Sequence, residues 1–185
     1  MNRNGLQRAL GALVLCLACA AAAQQLRPPA SLASVLGPSS LVGQGQLRWF
    51  GLLIYDARLW SSRKLSAQDW SQQPFALELE YQRAFRAGDI ARRSLQEIER
   101  AGELPPAQAE RWEGQLRTLL PDVAPGDRVA GVYLPGKGAR FLVNGRSVGE
   151  IDDAEFARRF FGIWLGPATS EPGLRDALLG QGRTG

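Results

Sequence analysis

The sequence predicts an α+β domain in which an open antiparallel β-sheet has helices packed on one face. Three observations lead to this prediction. The strand and helix patterns follow one another in the order β–β–α–α–β–β–β–α–α. Residues 75–85 alternate apolar and polar side chains, which is typical of an antiparallel strand with one wet face. Asn144-Gly145 between two apolar segments indicates a two-residue hairpin, because both residues accept positive φ.

Residues 1–23 have the pattern of a secretory signal peptide. Arg3 and Arg8 precede an uncharged apolar run at 10–20, and three alanines at 21–23 offer a cleavage site. The apolar run is shorter than the roughly 20 residues that cross a bilayer, so no stable membrane span is expected after cleavage. The sequence therefore predicts a periplasmic or secreted protein.

Cleavage would leave a chain without cysteine or histidine, because Cys16 and Cys19 lie in the signal peptide. Thiolate nucleophiles, histidine bases and Cys/His metal sites are then excluded, and no metal or other cofactor is predicted. The formal net charge falls from +4 to +2, since two arginines leave and no acid does. That excess is too small to indicate nucleic-acid binding. A lipoprotein anchor on either cysteine is the alternative.

The remaining residues, about 160, fit a single domain with a sizeable core. Residues 24–40 are rich in Pro, Ser and Ala and are interpreted as an N-terminal lead-in. Residues 41–180 form the predicted domain, and the Gly-rich residues 181–185 are interpreted as a flexible tail. The oligomeric state does not follow from the sequence.

The first strands are expected in residues 47–60, where both alternating faces are mostly apolar. This pattern predicts one strand covered on two sides, or two strands joined at Gly51. In the next strand, residues 75–85, Glu78 and Glu80 share the face expected to be solvated. A three-stranded meander follows the first helix pair, with strands at 127–134, 139–143 and 146–151.

Four helices are predicted from capping residues, apolar spacing and breakers. Asp89 is expected to cap the first, and Asp152 with Glu155 forms a start similar to a capping box for the third. An aromatic group on the third helix, including Phe160, is interpreted mainly as core packing. The predicted helices end before Gly102, Pro121, Gly166 and Gly180, respectively.

Four stretches together resemble the chalcone isomerase-like family, in particular its exported bacterial branch. They are GQGQLRWFGLLIYDARLW (43–60), PFALELEYQRAF (74–85), GDRVAGVYLPGKGARFLVNG (126–145) and DAEFARRFFGIWLGPATSEPGLRDALLG (153–180). The resemblance implies an open antiparallel sheet with helices on one face, arranged around an apolar cleft.

The resemblance also implies a ligand site. The family contains enzymes that cyclise chalcones and non-catalytic members that bind fatty acids through an Arg and a Tyr. Arg48 stands at the family's Arg position, and Tyr55 stands where the fatty-acid binders carry their Tyr. Arg48 and Tyr55 are thus the candidate ligand-binding residues, for the carboxylate of a fatty acid or a similar acidic amphiphile. Leu52, Leu53 and Phe160 are the candidate cleft-lining residues.

The other positions that the resemblance assigns to the enzymes hold Ile90, Glu97 and Ile163. No catalytic residue is therefore assigned, and a non-catalytic binding protein is favoured. Two alternatives stay open. One is an isomerase or intramolecular lyase that acts through Arg48. The other is a scaffold or interaction domain without a small ligand, in which Arg48 forms an internal ion pair and Tyr55 is a core residue.

The joint site has a geometric requirement. Residues seven apart on a regular strand, such as Arg48 and Tyr55, point to opposite faces. They converge only if Gly51 marks a bulge or a bend, which glycine permits. A strand arrangement in which the two side chains diverge would speak against a shared cleft.

Overall fold

The computed structural model describes residues 27–181, so the predicted signal peptide and residues 182–185 of the predicted tail lie outside the described residues. Six strands form one antiparallel sheet in which spatial order follows chain order. This arrangement confirms the predicted fold class. The strands are β1 (Ser40–Trp49), β2 (Leu52–Ser61), β3 (Phe75–Tyr81), β4 (Arg128–Leu134), β5 (Gly138–Val143) and β6 (Arg146–Ile151).

The described residues also form five α-helices and one short 3₁₀ helix, Trp70–Gln72. The first helix lies in the segment interpreted as a lead-in, and the other four are the ones predicted from the sequence. They are α1 (Ala30–Leu36), α2 (Ala87–Ala101), α3 (Pro106–Leu119), α4 (Ala154–Leu165) and α5 (Pro172–Leu178). No helix among residues 27–181 is long and apolar enough to span a bilayer.

The main core lies between one face of the sheet and helices α2–α5, and we call this the helix face. Alternate residues of the strands point into it, and α4 contributes a row of aromatic side chains, because its apolar residues recur at helical spacing. The aromatic group predicted to be core is buried there, as expected. The largest fully buried side chains on this face are Phe75, Trp112, Phe141, Phe156 and Phe161.

The opposite face of the sheet, here called the outer face, is partly covered by α1. Leu32 of α1 packs on Trp60, Ala76 and neighbouring apolar residues of the central strands. The prediction that β3 has a wet face is therefore wrong in part, since Glu78 is only 4% exposed. Helix α1 was not predicted, because its few apolar residues lie among prolines, serines and alanines.

Two predicted helix caps differ from the structure by a few residues. Helix α2 starts at Ala87, so Asp89 lies inside its first turn and pairs with Arg92 instead of capping the helix. Helix α4 is capped by Asp153, whose side chain accepts a hydrogen bond from the N–H of Phe156, and not by Asp152. The predicted cap differs from the observed one by three residues for α2 and by one residue for α4.

Candidate functional site

The candidate site starts at the hairpin that joins β1 and β2, which confirms the interpretation of residues 47–60 as two strands joined at Gly51. Phe50 and Gly51 form a two-residue loop with φ of 47° and 79°, while Trp49 and Leu52 pair beneath it. Trp49, Phe50 and Leu52 are 63%, 87% and 48% exposed. We call these three side chains the hairpin tip.

Arg48 lies directly behind the hairpin tip on the outer face and is exposed. Its guanidinium donates hydrogen bonds to Gln46 Oε1 at 3.1 Å and to the carbonyl oxygen of Gly51 at 3.3 Å. Gln46 in turn donates to Asp56, which also accepts from Gln82, both at 2.8 Å. Arg48 is thus held by neutral acceptors, and no carboxylate of residues 27–181 lies within 4.0 Å of it.

Tyr55 is buried on the helix face. Its hydroxyl oxygen accepts a hydrogen bond from Trp164 Nε1 at 2.9 Å, and its ring meets that of Tyr81 edge to face at 5.8 Å. Burial raises the pKa of Tyr55, although the hydrogen bond from Trp164 acts in the opposite direction. The side chain is therefore a neutral phenol whose oxygen accepts a hydrogen bond inside the core.

The structure does not bring Arg48 and Tyr55 together. Tyr55 pairs across the strands with Leu47, the residue before Arg48. Because successive residues of a strand point to opposite faces, Arg48 is placed on the outer face. A register shift does occur between Leu47 and Arg48, but Arg48 still bonds to Gln46 of the outer face. The predicted shared cleft is thus absent from this structure, and a ligand role for either residue stays a prediction.

The predicted cleft-lining residues are also separated. Leu52 belongs to the hairpin tip, and Leu53 pairs with Arg48. Phe160 is buried in the main core, where its ring stacks on Phe156 at 5.3 Å. Leu52 and Leu53 therefore lie near Arg48, whereas Phe160 lies on the far side of the sheet.

The positions that the resemblance assigned to catalysis hold residues that pack or form ion pairs on the helix face. Ile90 and Ile163 pack against the main core. The carboxylate of Glu97 is 8% exposed and accepts hydrogen bonds from Arg93 and Arg100 at 2.6 and 3.0 Å. Glu97 is therefore held in ion pairs with two arginines.

Two open clefts of the described residues are lined by mixed polar and apolar groups. One, of about 460 Å³, lies between α3 and β6 and is bordered by Arg111, Arg117 and Glu150. The other, of about 440 Å³, lies between α1 and the outer face, with Glu78 and Arg128 in its wall. Residues 27–181 contain no cluster of three acidic residues arranged for a metal ion.

Replacing Tyr55 by phenylalanine tests its structural role. We expect the free energy of unfolding to fall by about 1–3 kcal/mol, because Trp164 Nε1 loses its acceptor inside the core. Urea unfolding followed by circular dichroism measures this change. Tyr81→Phe is the matched control, since no hydrogen bond to the Tyr81 hydroxyl is formed within the described part of the chain. Equal stability of the Tyr55→Phe variant and wild type would contradict the buried hydrogen bond.

Sequence reasoning did not find the hairpin tip. The Phe-Gly pair was hidden inside a continuous apolar run, and phenylalanine is an unusual residue at positive φ. The only signal was Gly51 itself, which was interpreted as a junction of two strands, a bulge or a bend, without an exposed apolar loop. Sequence reasoning also missed the burial of Glu78, which lies 3.9 Å from Arg58 beneath the edge of α1.

Comparisons with known proteins agree with the geometry of the sheet. A sequence model for a family described as chalcone isomerase-like matches residues 40–180. A protein of Haemophilus influenzae, described as uncharacterized, is 26% identical over 140 residues, covering 76% of this chain and 67% of its own length. The crystal structure of a fatty-acid binding protein of Arabidopsis thaliana superposes with a TM-score of 0.60. It is 11% identical and covers 83% of this chain and 89% of its own, which shows a shared fold.

Proposed function

The chain belongs to the chalcone isomerase-like family, and from this premise we propose that it is a non-catalytic protein that binds a small amphiphile with an acidic head group. Arg48 is the proposed contact for the head group, and its cross-strand neighbour Leu53 is the proposed contact for the tail. Leu52 pairs with Trp49 and points to the other face, so it is not part of this proposed site. Tyr55 is not part of this proposed site, because its hydroxyl lies on the opposite face of the sheet.

The observation that carries the proposal is the state of Arg48. An arginine that stabilises a fold through an ion pair has an acidic partner, but within residues 27–181 Arg48 has only Gln46 and a backbone carbonyl. Its charge is exposed and free to form a bidentate, charge-assisted bond with a carboxylate or phosphate. The internal ion pair that was the alternative for Arg48 is not formed by the described residues.

The surroundings of Arg48 match an amphiphile better than a simple anion. Leu53 is its cross-strand neighbour, and Leu52 is 48% exposed at the hairpin tip. Because Leu53 shares the outer face with Arg48, an aliphatic chain lying along Leu53 would bury apolar surface while its head group reaches the guanidinium. The fatty-acid binding protein with the same fold supports this ligand class, although its likeness extends to the fold alone.

Absence of catalysis is proposed from the same contacts. Neither the amide of Gln46 nor the carbonyl of Gly51 can accept and return a proton as a general base. The positions assigned to the enzymes hold two isoleucines and an ion-paired glutamate. Export from the cytoplasm is proposed from the signal-peptide pattern of residues 1–23.

The test is native mass spectrometry of the protein purified from its host, followed by titration with palmitate. We expect one bound acidic amphiphile, and we expect Arg48→Gln to weaken palmitate binding about tenfold or more, the cost of one charge-assisted hydrogen bond. Arg63→Gln is the matched control, because Arg63 is exposed near the opposite end of β2. It should bind as wild type does.

An empty protein that takes up no palmitate would overturn the proposal. The second candidate function, an interaction domain without a small ligand, would then be favoured. Its support is the helix face filled by side chains such as Tyr55, Phe160 and Trp164, together with the exposed hairpin tip. Turnover of a chalcone that is lost in Arg48→Gln would instead support an isomerase.

A further inference from the structure

The hairpin tip has a sequence that its backbone geometry does not favour. The loop residues Phe50 and Gly51 have φ of 47° and 79°. The hairpin between β5 and β6 has nearly the same geometry, with φ of 49° and 79° at Asn144 and Gly145. Asn-Gly is the pair preferred for such turns, whereas a bulky residue at positive φ is strained. One chain thus contains the favourable and the unfavourable version of one turn.

Packing does not offset the strain at Phe50. Its side chain is 87% exposed and contacts mainly Trp49, with the two ring centres 5.0 Å apart. Large exposed apolar groups on adjacent residues are uncommon on a monomer and indicate a surface that meets an apolar partner. Strain and exposure at the same residue indicate that Phe50 is present for that contact and not for folding.

Exposed arginines lie at the same end of the sheet as the hairpin tip. Arg48 lies directly behind it. The N–H of Gln82 donates to the carbonyl of Ile54, which brings the connection between β3 and α2 to the same end of the sheet. Arg83 and Arg86 of that connection are exposed, and within residues 27–181 neither has a carboxylate within 4.0 Å. An exposed apolar tip at the end of the sheet that also carries three exposed arginines is complementary to a bilayer surface with anionic head groups.

The shape and area of the hairpin tip favour a bilayer over a protein. Its three side chains expose on the order of 300–400 Å², whereas a stable protein interface needs about 800 Å² from each partner. The tip is also convex, so a protein would have to supply a matching pocket. A bilayer needs no such pocket, and tryptophan is favoured at its interface. The cross-strand pair Trp49–Leu52 leaves few backbone groups to desolvate.

We propose that the hairpin tip inserts into the interfacial region of a bilayer containing anionic lipids, with Arg48, Arg83 and Arg86 at the level of the head groups. The insertion is shallow and reversible, because three side chains and three charges are involved. The proposal shares Arg48 with the proposed amphiphile site but does not depend on that site. It places a lipid surface next to the residue proposed to hold an acidic head group.

The test is co-sedimentation of the protein purified from its host with vesicles of phosphatidylcholine, with or without phosphatidylglycerol. We expect binding to the anionic vesicles that weakens as salt is added. Trp49 is the exposed one of the five tryptophans. Brominated lipids should therefore quench part of the tryptophan fluorescence of wild type. This quenching should be absent in the Trp49→Ser variant.

The decisive variant is Phe50→Asn, which gives this hairpin the Asn-Gly pair of the other one. We expect vesicle binding to fall tenfold or more while the urea midpoint stays equal or rises, so misfolding cannot explain the loss. Val148→Ser is the control, since Val148 is 37% exposed on β6 at the other edge of the sheet. It should bind vesicles as wild type does.

Other outcomes would overturn the proposal. The proposal is wrong if wild type does not bind anionic vesicles, or if Phe50→Asn binds them as well as wild type does. Self-association of wild type that Phe50→Asn abolishes, without vesicle binding, would assign the hairpin tip to a second copy of the chain. Palmitate binding without vesicle binding would refute this inference alone, and vesicle binding without palmitate binding would refute the proposed function alone.

Discussion

Replacing Asp153 by alanine is expected to lower the free energy of unfolding by about 2–4 kcal/mol. The carboxylate of Asp153 accepts hydrogen bonds from the N–H of Phe156 at 2.9 Å and from Trp112 Nε1 at 3.0 Å. The first bond caps helix α4. The second satisfies the indole of Trp112, which is fully buried. Alanine removes both acceptors and leaves a buried donor without a partner.

The neighbouring Asp152 provides the matched control. It is exposed, and its side chain forms no hydrogen bond within the described residues. Asp152→Ala should therefore change stability by less than about 0.5 kcal/mol. Urea unfolding of the two alanine variants measures the difference. A larger loss for Asp152→Ala than for Asp153→Ala would show that the cap belongs to the residue favoured by the sequence pattern.

The contribution of Asp153 also depends on pH. Burial acts to raise its pKa, but hydrogen bonds from Phe156, Trp112 and Glu155, with the charge of Arg111, hold the pKa below its ordinary value. A carboxyl group with a lowered pKa stabilises the fold above its unfolded-state pKa, and this stabilisation is lost as the pH falls through the folded-state pKa. The difference in the free energy of unfolding between wild type and Asp153→Ala should thus be largest at pH 7 and should decrease below about pH 4.

Asp153→Asn separates charge from hydrogen bonding. Asparagine caps helices well and keeps an acceptor for one of the two donors. We expect it to retain more of the stability at pH 7 than alanine does and to show a smaller dependence on acid. An asparagine variant as unstable as alanine would mean that the negative charge, which also lies 3.3 Å from Arg111, carries most of the effect.

Much of the fold could be predicted because its signals are local. Asn144-Gly145 determines one hairpin, and Gly102 and Gly166 mark the ends of two helices at the positions found. Helix α1 was missed because a seven-residue helix with no side-chain cap leaves little local signal. Asp152 was predicted as the cap in place of Asp153, because the correct choice depends on which carboxylate reaches Trp112, a residue 41 positions from Asp153.

The candidate site was less predictable because it depends on strand register. Arg48 and Tyr55 are seven residues apart, but their faces are decided by the register shift that leaves Ile54 as an extra residue in β2, between Leu53, which pairs with Arg48, and Tyr55, which pairs with Leu47. Without that extra residue the two-residue hairpin would pair Tyr55 with Gln46 and place its side chain on the face of Arg48. The polar chain from Arg48 through Gln46 to Asp56 likewise exists only in this register.

Replacing Gly43 by alanine is the other substitution with a large expected effect, a loss of about 3 kcal/mol or more. A Cβ on Gly43 would collide with the backbone carbonyls of Ala177 and Leu178 at the end of α5. Backbone atoms cannot rotate away as a side chain can, so α5 would have to leave β1. Leu174 and Leu178, both buried beneath α5, would then lose part of their packing.

Gly173→Ala is the control for this experiment, because a Cβ on Gly173, within α5, meets no atom within 4 Å. It should be neutral or stabilise the protein by up to about 1 kcal/mol through helix propensity. Urea unfolding and hydrogen exchange of residues 172–178 measure both variants. Gly43→Ala with wild-type stability would show that α5 does not lie against β1 in solution.

The result also bears on the Gly43-x-Gly45 pair that precedes Arg48. A Cβ on Gly45 would lie 2.7 Å from the side chain of Leu174, so both glycines are explained by the close approach of α5. The pair therefore has no need of a ligand to account for it. We accordingly expect Gly43→Ala to reduce stability through α5, while Arg48→Gln reduces palmitate binding without a comparable loss of stability. If Gly43→Ala instead abolished palmitate binding at unchanged stability, the glycine pair would belong to the binding site.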